Sequence, residues 1–224
     1  MRSRLAIALV AMAVMSCVSS TPGTPGGTKM ERDVRPLPSP RLSSDVSLEA
    51  ALDQRRSVRA FLPDPLSDQE LGQLLWAAQG VTDSEGRRTA PSAGALYPLE
   101  IYAVTPTEVL HYDPATHAVG VQREGDHRRD LEAAALGQEA VGEAPVTFVI
   151  VAVIERTAAK YGDRATRYVQ LEAGHAAQNL LLQAVALGLG AVPIGSFSDE
   201  RVEVILGLPI NERPLYLVPV GHPR

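Results

Sequence analysis

The chain has 224 residues, 45% of them hydrophobic and 21% charged, with a net charge of −5 and a pI near 5.6. That length suits one well-buried domain and is short for two. The acidic balance argues against a broad nucleic-acid footprint, so none is expected as a partner.

Arg2 and Arg4 precede an apolar run from Leu5 to Met15, the pattern of a signal-peptide core and too short to span a bilayer as a permanent helix. The run ends in VMSC, which resembles the lipobox of bacterial lipoproteins. Residues 1–17 are therefore expected to be a lipoprotein signal peptide, with Cys17 lipidated and tying the protein to the cell envelope. Cys17 is the one cysteine of the chain, which leaves no internal disulfide and no thiolate metal cluster. Ser3 splits the two arginines, so no twin-arginine signal is present and export would precede folding. A cofactor would then be acquired outside the cytoplasm; translation from Met30 would instead give a cytoplasmic product. Residues 18–42, rich in Pro, Gly, Ser and Thr, read as a flexible tether, and the folded domain is expected over 43–224.

Within that domain a first helix is expected from about Leu48 to Arg56. A second follows in LSDQELGQLLWAAQG, where Ser67 and Glu70 have capping-box spacing and Gly80 stands at the stop. Residues 99–105 read as a strand and 109–122 as a hairpin whose turn starts at Asp113-Pro114. A helix is expected near 130. The continuously apolar, β-branched run at 146–154 is expected to be a strand buried on both faces. A long helix from about Arg164 to Leu187, a short strand AVPIG, a helix at 199–206 stopped by Gly207 and a last strand PLYLVPV complete the pattern. The expected class is α+β, with a central mixed β-sheet flanked by helices.

No dinucleotide glycine fingerprint, P-loop, zinc-binding helix motif or serine nucleophile elbow occurs, and the five histidines show no metal-ligand spacing. What remains is a set of segments in order. Arg55, Arg56 and Arg59 crowd into RRSVR and call for an anionic partner, though cations also gather at helix C-termini. PSAG at 91–94, KYGDR at 160–164, VPIGSF at 192–197 and the closing VGHPR follow.

Together these segments resemble the nitroreductase superfamily of flavin enzymes, most closely its SagB-type (azoline) dehydrogenase branch, over roughly residues 48–224. The resemblance implies an FMN site at a homodimer interface. Arg55 and Ser57 would hold the phosphate, Arg56 would face the ribityl chain or phosphate, and Arg59 would approach the N1/O2 edge of the isoalloxazine. Pro91, Ser92 and Ala93 would pack on the flavin from the other subunit. Pro193, Ile194, Gly195 and Ser196 are candidates to bring a backbone N–H to flavin N5, and Arg224 would add a phosphate contact. Some relatives carry glutamate where this chain has Gly195.

The Lys160–Tyr161 pair matches one that azoline dehydrogenases carry ahead of a similar helix. Desaturation removes a proton while hydride leaves to N5, and a lysine or tyrosine of depressed pKa can take that proton. The implied function is an FMN-dependent dehydrogenase or oxidase acting on a small-molecule or peptide substrate. The alternatives are an NAD(P)H-dependent nitro or quinone reductase, with the nicotinamide as reductant, and a non-catalytic flavin- or ligand-binding lipoprotein.

Overall fold

A computed structural model describes residues 34–224. Cys17, Met30 and the leader lie outside the described residues. Among those described, the first element is a short strand β1 (Val34–Pro36), followed by α1 (Leu48–Gln54), α2 (Asp68–Gln79) and β2 (Leu99–Val104). Then come β3 (Glu108–Asp113), β4 (Ala118–Glu124), α3 (Arg128–Ala134), α4 (Glu139–Glu143) and β5 (Val146–Ala152). The chain continues through α5 (Ile154–Tyr161), α6 (Ala165–Ala186), β6 (Gly190–Ala191), α7 (Asp199–Leu206) and β7 (Arg213–Gly221).

The strands form one sheet in the order β1-β4-β3-β2-β5-β7-β6. Every pairing between these strands is antiparallel, which corrects the expected mixed sheet. A parallel contact does occur, but as an isolated bridge between Ser57 and Ala191. The packed unit also starts earlier than Ser43, because β1 pairs with β4 through Val34–Gly120 and Pro36–Ala118.

Alternation along the strands splits the core into two layers. Ile101, Phe148, Ile150 and Val218 face α2 and α6. Tyr102, Val149, Val151 and Leu217 face α3, α4 and α7. β5 lies between β2 and β7 and is buried along its whole length, as a continuous apolar run requires.

The local signals that set element ends are visible. Ser67 accepts from the Glu70 N–H while the Glu70 carboxylate receives the Ser67 N–H, a complete capping box at the start of α2. Asp113 receives the Ala115 N–H and the Thr116 hydroxyl, closing the β3–β4 turn. One expectation fails: the apolar run stops being a strand at Ala152, and residues 154–161 form the helix α5. Lys160 and Tyr161 therefore sit at a helix C-terminus.

Candidate functional site

The residues singled out in the sequence fall into two groups, and the first gathers around Arg55. Its N–H caps α1 by reaching the Ala51 carbonyl. Arg56 turns back on the same helix end, where its Nη1 donates to the carbonyls of Asp53 and Arg55 at 2.6 and 2.8 Å. Its guanidinium satisfies carbonyls orphaned by the helix terminus. Arg55 and Arg59 have no carboxylate within ion-pair distance among the described residues.

Backbone hydrogen bonds stitch this segment into the edge of the sheet. The Val58 N–H donates to the Ala191 carbonyl at 3.0 Å, and the Leu62 N–H to the His222 carbonyl at 2.8 Å. The Arg224 N–H returns to Ala60 at 3.1 Å, so the last residue is tied to the RRSVR segment. This contact needs glycine at 190: a Cβ there would stand 2.7 Å from Val58 Cβ. A cleft of about 310 Å³ runs between Arg55, Arg56, Ala191 and the C-terminal turn of α6, at Leu181, Val185 and Gly188.

The VPIGSF segment continues from β6. Pro193 has no N–H to give, and Ile194 exchanges both backbone bonds with Leu217 at 2.8 and 3.0 Å. The N–H groups of Gly195 and Ser196 have no acceptor among the described residues. The four candidate donors are thereby reduced to two.

The second group lies around PSAG. Gly94 is left-handed, at φ 65°, and a Cβ built on it would lie 2.9 Å from both Lys160 Nζ and Tyr161 Oη. The tip of the loop and the end of α5 are thus in direct contact. Tyr161 also meets Tyr168 of α6 edge to face, with ring centroids 5.1 Å apart. Ala95 and Tyr97 hold positive φ of 54° and 46° without being glycine. Such conformations persist where the surroundings over-determine them.

Those surroundings are explicit. The Tyr97 N–H donates to Ser92 Oγ at 2.9 Å, and Arg156 Nη1 donates to the Tyr97 carbonyl at 3.1 Å. The Arg88 guanidinium stacks over the Tyr97 ring at 4.6 Å. Below the loop, Glu100 accepts from His111 Nε2 at 2.8 Å and pairs with Arg156. Burial alone would raise the Glu100 carboxyl, but the His111 hydrogen bond and the Arg156 charge hold it below the usual carboxylate value. Burial pulls the Arg88 guanidinium down from its ordinary value.

The two groups do not meet within one chain. The first sits where Val146 of β5 pairs with Val220, and Ala191 with Val220 in turn. The second sits where Ala152, at the other end of β5, pairs with Leu99. Six strand rises separate these ends, about 20 Å. α6 gives the same ruler, since Glu172 at the PSAG end and Val185 at the cleft are thirteen residues apart, also about 20 Å. Each chain therefore carries two separate clusters about 20 Å apart.

Sequence reasoning missed Glu172, Tyr168, Arg88 and Arg156. Their signal was weak: Glu172 interrupts an otherwise apolar helix face between Val169 and Ala173, which only the returning loop explains.

The profile described as the nitroreductase family matches residues 52–222. A Methanocaldococcus jannaschii protein named as a nitroreductase is 45% identical over 184 residues, covering 80% of this chain and 92% of its own. A crystal structure of a Ralstonia eutropha protein titled as a nitroreductase superposes with TM-score 0.78 at 32% identity, covering 85% and 90% of the two chains. The Vibrio harveyi NADPH:FMN oxidoreductase complexed with NAD+ gives TM-score 0.59 at 27% identity, covering 79% and 68%. A chain of the Escherichia coli microcin synthetase McbBCD complex with truncated pro-MccB17 gives 0.68 at 25%, covering 82% and 76%.

Proposed function

We propose, from the premise that the chain belongs to the nitroreductase family and is a flavin-dependent oxidoreductase, that it is an FMN-dependent SagB-type dehydrogenase or oxidase whose Lys160–Tyr161 pair removes a substrate proton. The observation that carries this reading is the contact of Gly94 with Lys160 Nζ and Tyr161 Oη. It sets a proton acceptor against a small-residue loop on which a flat ring can lie. A reductase whose acceptor only gains electrons has no need of such a base.

The half-sites fit an FMN molecule. Among the described residues Arg55 and Arg59 lack a counter-charge, Ser57 lies between them in sequence, and planar guanidinium suits a phosphate dianion. Gly195 and Ser196 keep N–H groups for a ring edge, and the tethered Arg224 lies beside the RRSVR segment. Bound FMN supplies the two-electron acceptor for the hydrogen leaving the substrate. Lys160 or Tyr161 takes the proton from the neighbouring atom, and the other stays within reach to tune it.

We further infer a two-fold homodimer, because half-sites about 20 Å apart on one chain close only when each faces its complement on a second copy. Leu48 and Leu52 are exposed on α1 at a groove lined by Val46, Leu48, Ala51, Trp76 and Leu182, an apolar face suited to that contact. Lipid anchoring at Cys17 remains part of the reading, and intact mass of the membrane fraction tests it.

A nitro or quinone reductase is the second reading, favoured by the name carried by the Methanocaldococcus relative. The test is a Lys160→Ala/Tyr161→Phe variant purified without the leader. It should stay yellow and lose azoline or other desaturase turnover, whereas anaerobic bleaching of the parent by NADPH would favour the second reading. Full desaturase activity in the variant would refute the first reading.

A further inference from the structure

We propose that Glu172 is a positioning residue that clamps the PSAG loop against the Lys160–Tyr161 pair, so that the pair's placement depends on a carboxyl group it does not touch. This inference rests on the functional reading above for its catalytic consequence, but its structural part stands on four observations.

The first is burial. Glu172 is 4% exposed, on the face of α6 that also carries buried Val169, Ala173 and Ala176. A buried carboxyl group is costly unless hydrogen-bonded. The second is the partner: the Ala93 N–H donates to Glu172 Oε1 at 2.8 Å, across 79 residues of sequence. The third is the neighbour of that amide. Gly94, one residue on, has no Cβ to hold the loop away, and its outward face lies on Lys160 Nζ and Tyr161 Oη. The fourth is the helix register. Tyr168 precedes Glu172 by four residues, one turn along α6, and packs against the Tyr161 ring. Two successive turns of one helix therefore hold both sides of the contact, Tyr168 the end of α5 and Glu172 the loop.

The loop has reason to need a clamp. Gly94, Ala95 and Tyr97 are all left-handed, and without an anchor the chain would relax toward commoner conformations. Ser92 Oγ, Arg156 and Arg88 hold the Tyr97 side. At Ala93 the Glu172 carboxyl is the anchor.

The test compares Glu172→Ala, which removes the acceptor, with Glu172→Gln, which keeps a carbonyl oxygen at the same reach. Amide exchange is followed in flavin-free protein over residues 91–97, with far-ultraviolet circular dichroism to check folding. Loss of one buried hydrogen bond should speed exchange of the Ala93 amide roughly tenfold in the alanine variant and leave the glutamine variant near the parent. With FMN bound, the alanine variant should show reduced kcat, a displaced kcat–pH profile and little change in KM, and glutamine should restore all three.

Unchanged exchange at Ala93 in Glu172→Ala overturns the clamp. So does equal loss in folded alanine and glutamine variants, which would make the charge rather than the hydrogen bond responsible. A parent protein that neither binds FMN nor turns over refutes the functional reading alone, and the exchange measurement still decides the clamp.

Discussion

The half-site around Arg55 and the half-site around Gly94 sit at opposite ends of β5 and are built on opposite principles. At the Arg55 end, a half-buried Arg55 and an exposed Arg59 stand on backbone stitched to a sheet edge, and no carboxylate of the described residues pairs with either. At the Gly94 end, most of the polar groups around the loop are partnered: Glu172 with Ala93, Ser92 and Arg156 with Tyr97, His111 and Arg156 with Glu100. One region is poised to bind an anion, the other to hold a geometry. The difference implies that mutations at the first should weaken cofactor binding, whereas mutations at the second should change turnover at full occupancy.

The largest effect should come from crowding the packed loop. Gly94→Val adds a β-branched side chain at φ 65°, directly on Tyr161 Oη. It should lower kcat on the order of a hundredfold, as misplacement of about 1 Å at reacting groups does, and weaken FMN binding less than loss of Arg55 does, since the loop only packs on the flavin. Steady-state kinetics and a flavin titration measure the two separately; weaker FMN binding with normal kcat would reverse the assignment of roles.

Arg55→Ala should do the opposite. Loss of a charge-assisted hydrogen bond, about 1.5–3 kcal/mol, should weaken FMN binding roughly 10- to 100-fold while kcat at saturating FMN is retained. Fluorescence quenching of free flavin gives the dissociation constant.

Acid should loosen the Gly94 end first. Glu100 has a folded pKa below its unfolded value of about 4.3, so its interactions contribute stability above that pH and lose it as the pH falls through the folded pKa. Melting temperature should fall more steeply in the parent than in Glu100→Gln as the pH drops below the ordinary glutamate value, where the unfolded chain takes up this proton before the folded one does. Parallel curves would remove Glu100 from that role.

The smallest effect is a gain. Thr157 is buried in α5 with its hydroxyl unpartnered. The isosteric Thr157→Val removes that cost and should stabilise by about 1 kcal/mol, raising Tm by roughly 2–4 °C. A lower Tm would mean that the hydroxyl is satisfied in solution.

The two regions also differed in how far the sequence revealed them. RRSVR was legible because three cations in five positions demand an explanation. The capping box of α2 and the Asp113 turn are local signals and matched the observed element ends closely. α5 was hidden by its entrance, since VTFVIVAVI runs β-branched through Val153 into the helix. β1 was hidden because a Pro-rich tract becomes a strand only where β4 offers it an edge. The antiparallel sheet and the Glu172–Ala93 bond were not readable either, because both depend on partners remote in sequence.

The central claim is that the two half-sites of one chain serve two different flavins across a dimer. Mixing an Arg55→Glu/Arg59→Glu variant with the Lys160→Ala/Tyr161→Phe variant tests it, each being inactive alone at low FMN. After subunit exchange, half the dimers carry one intact site and one doubly damaged site, so about a quarter of parental activity should return. If mixed dimers form and activity stays at zero, the cations and the Lys160–Tyr161 pair do not share a site across the interface.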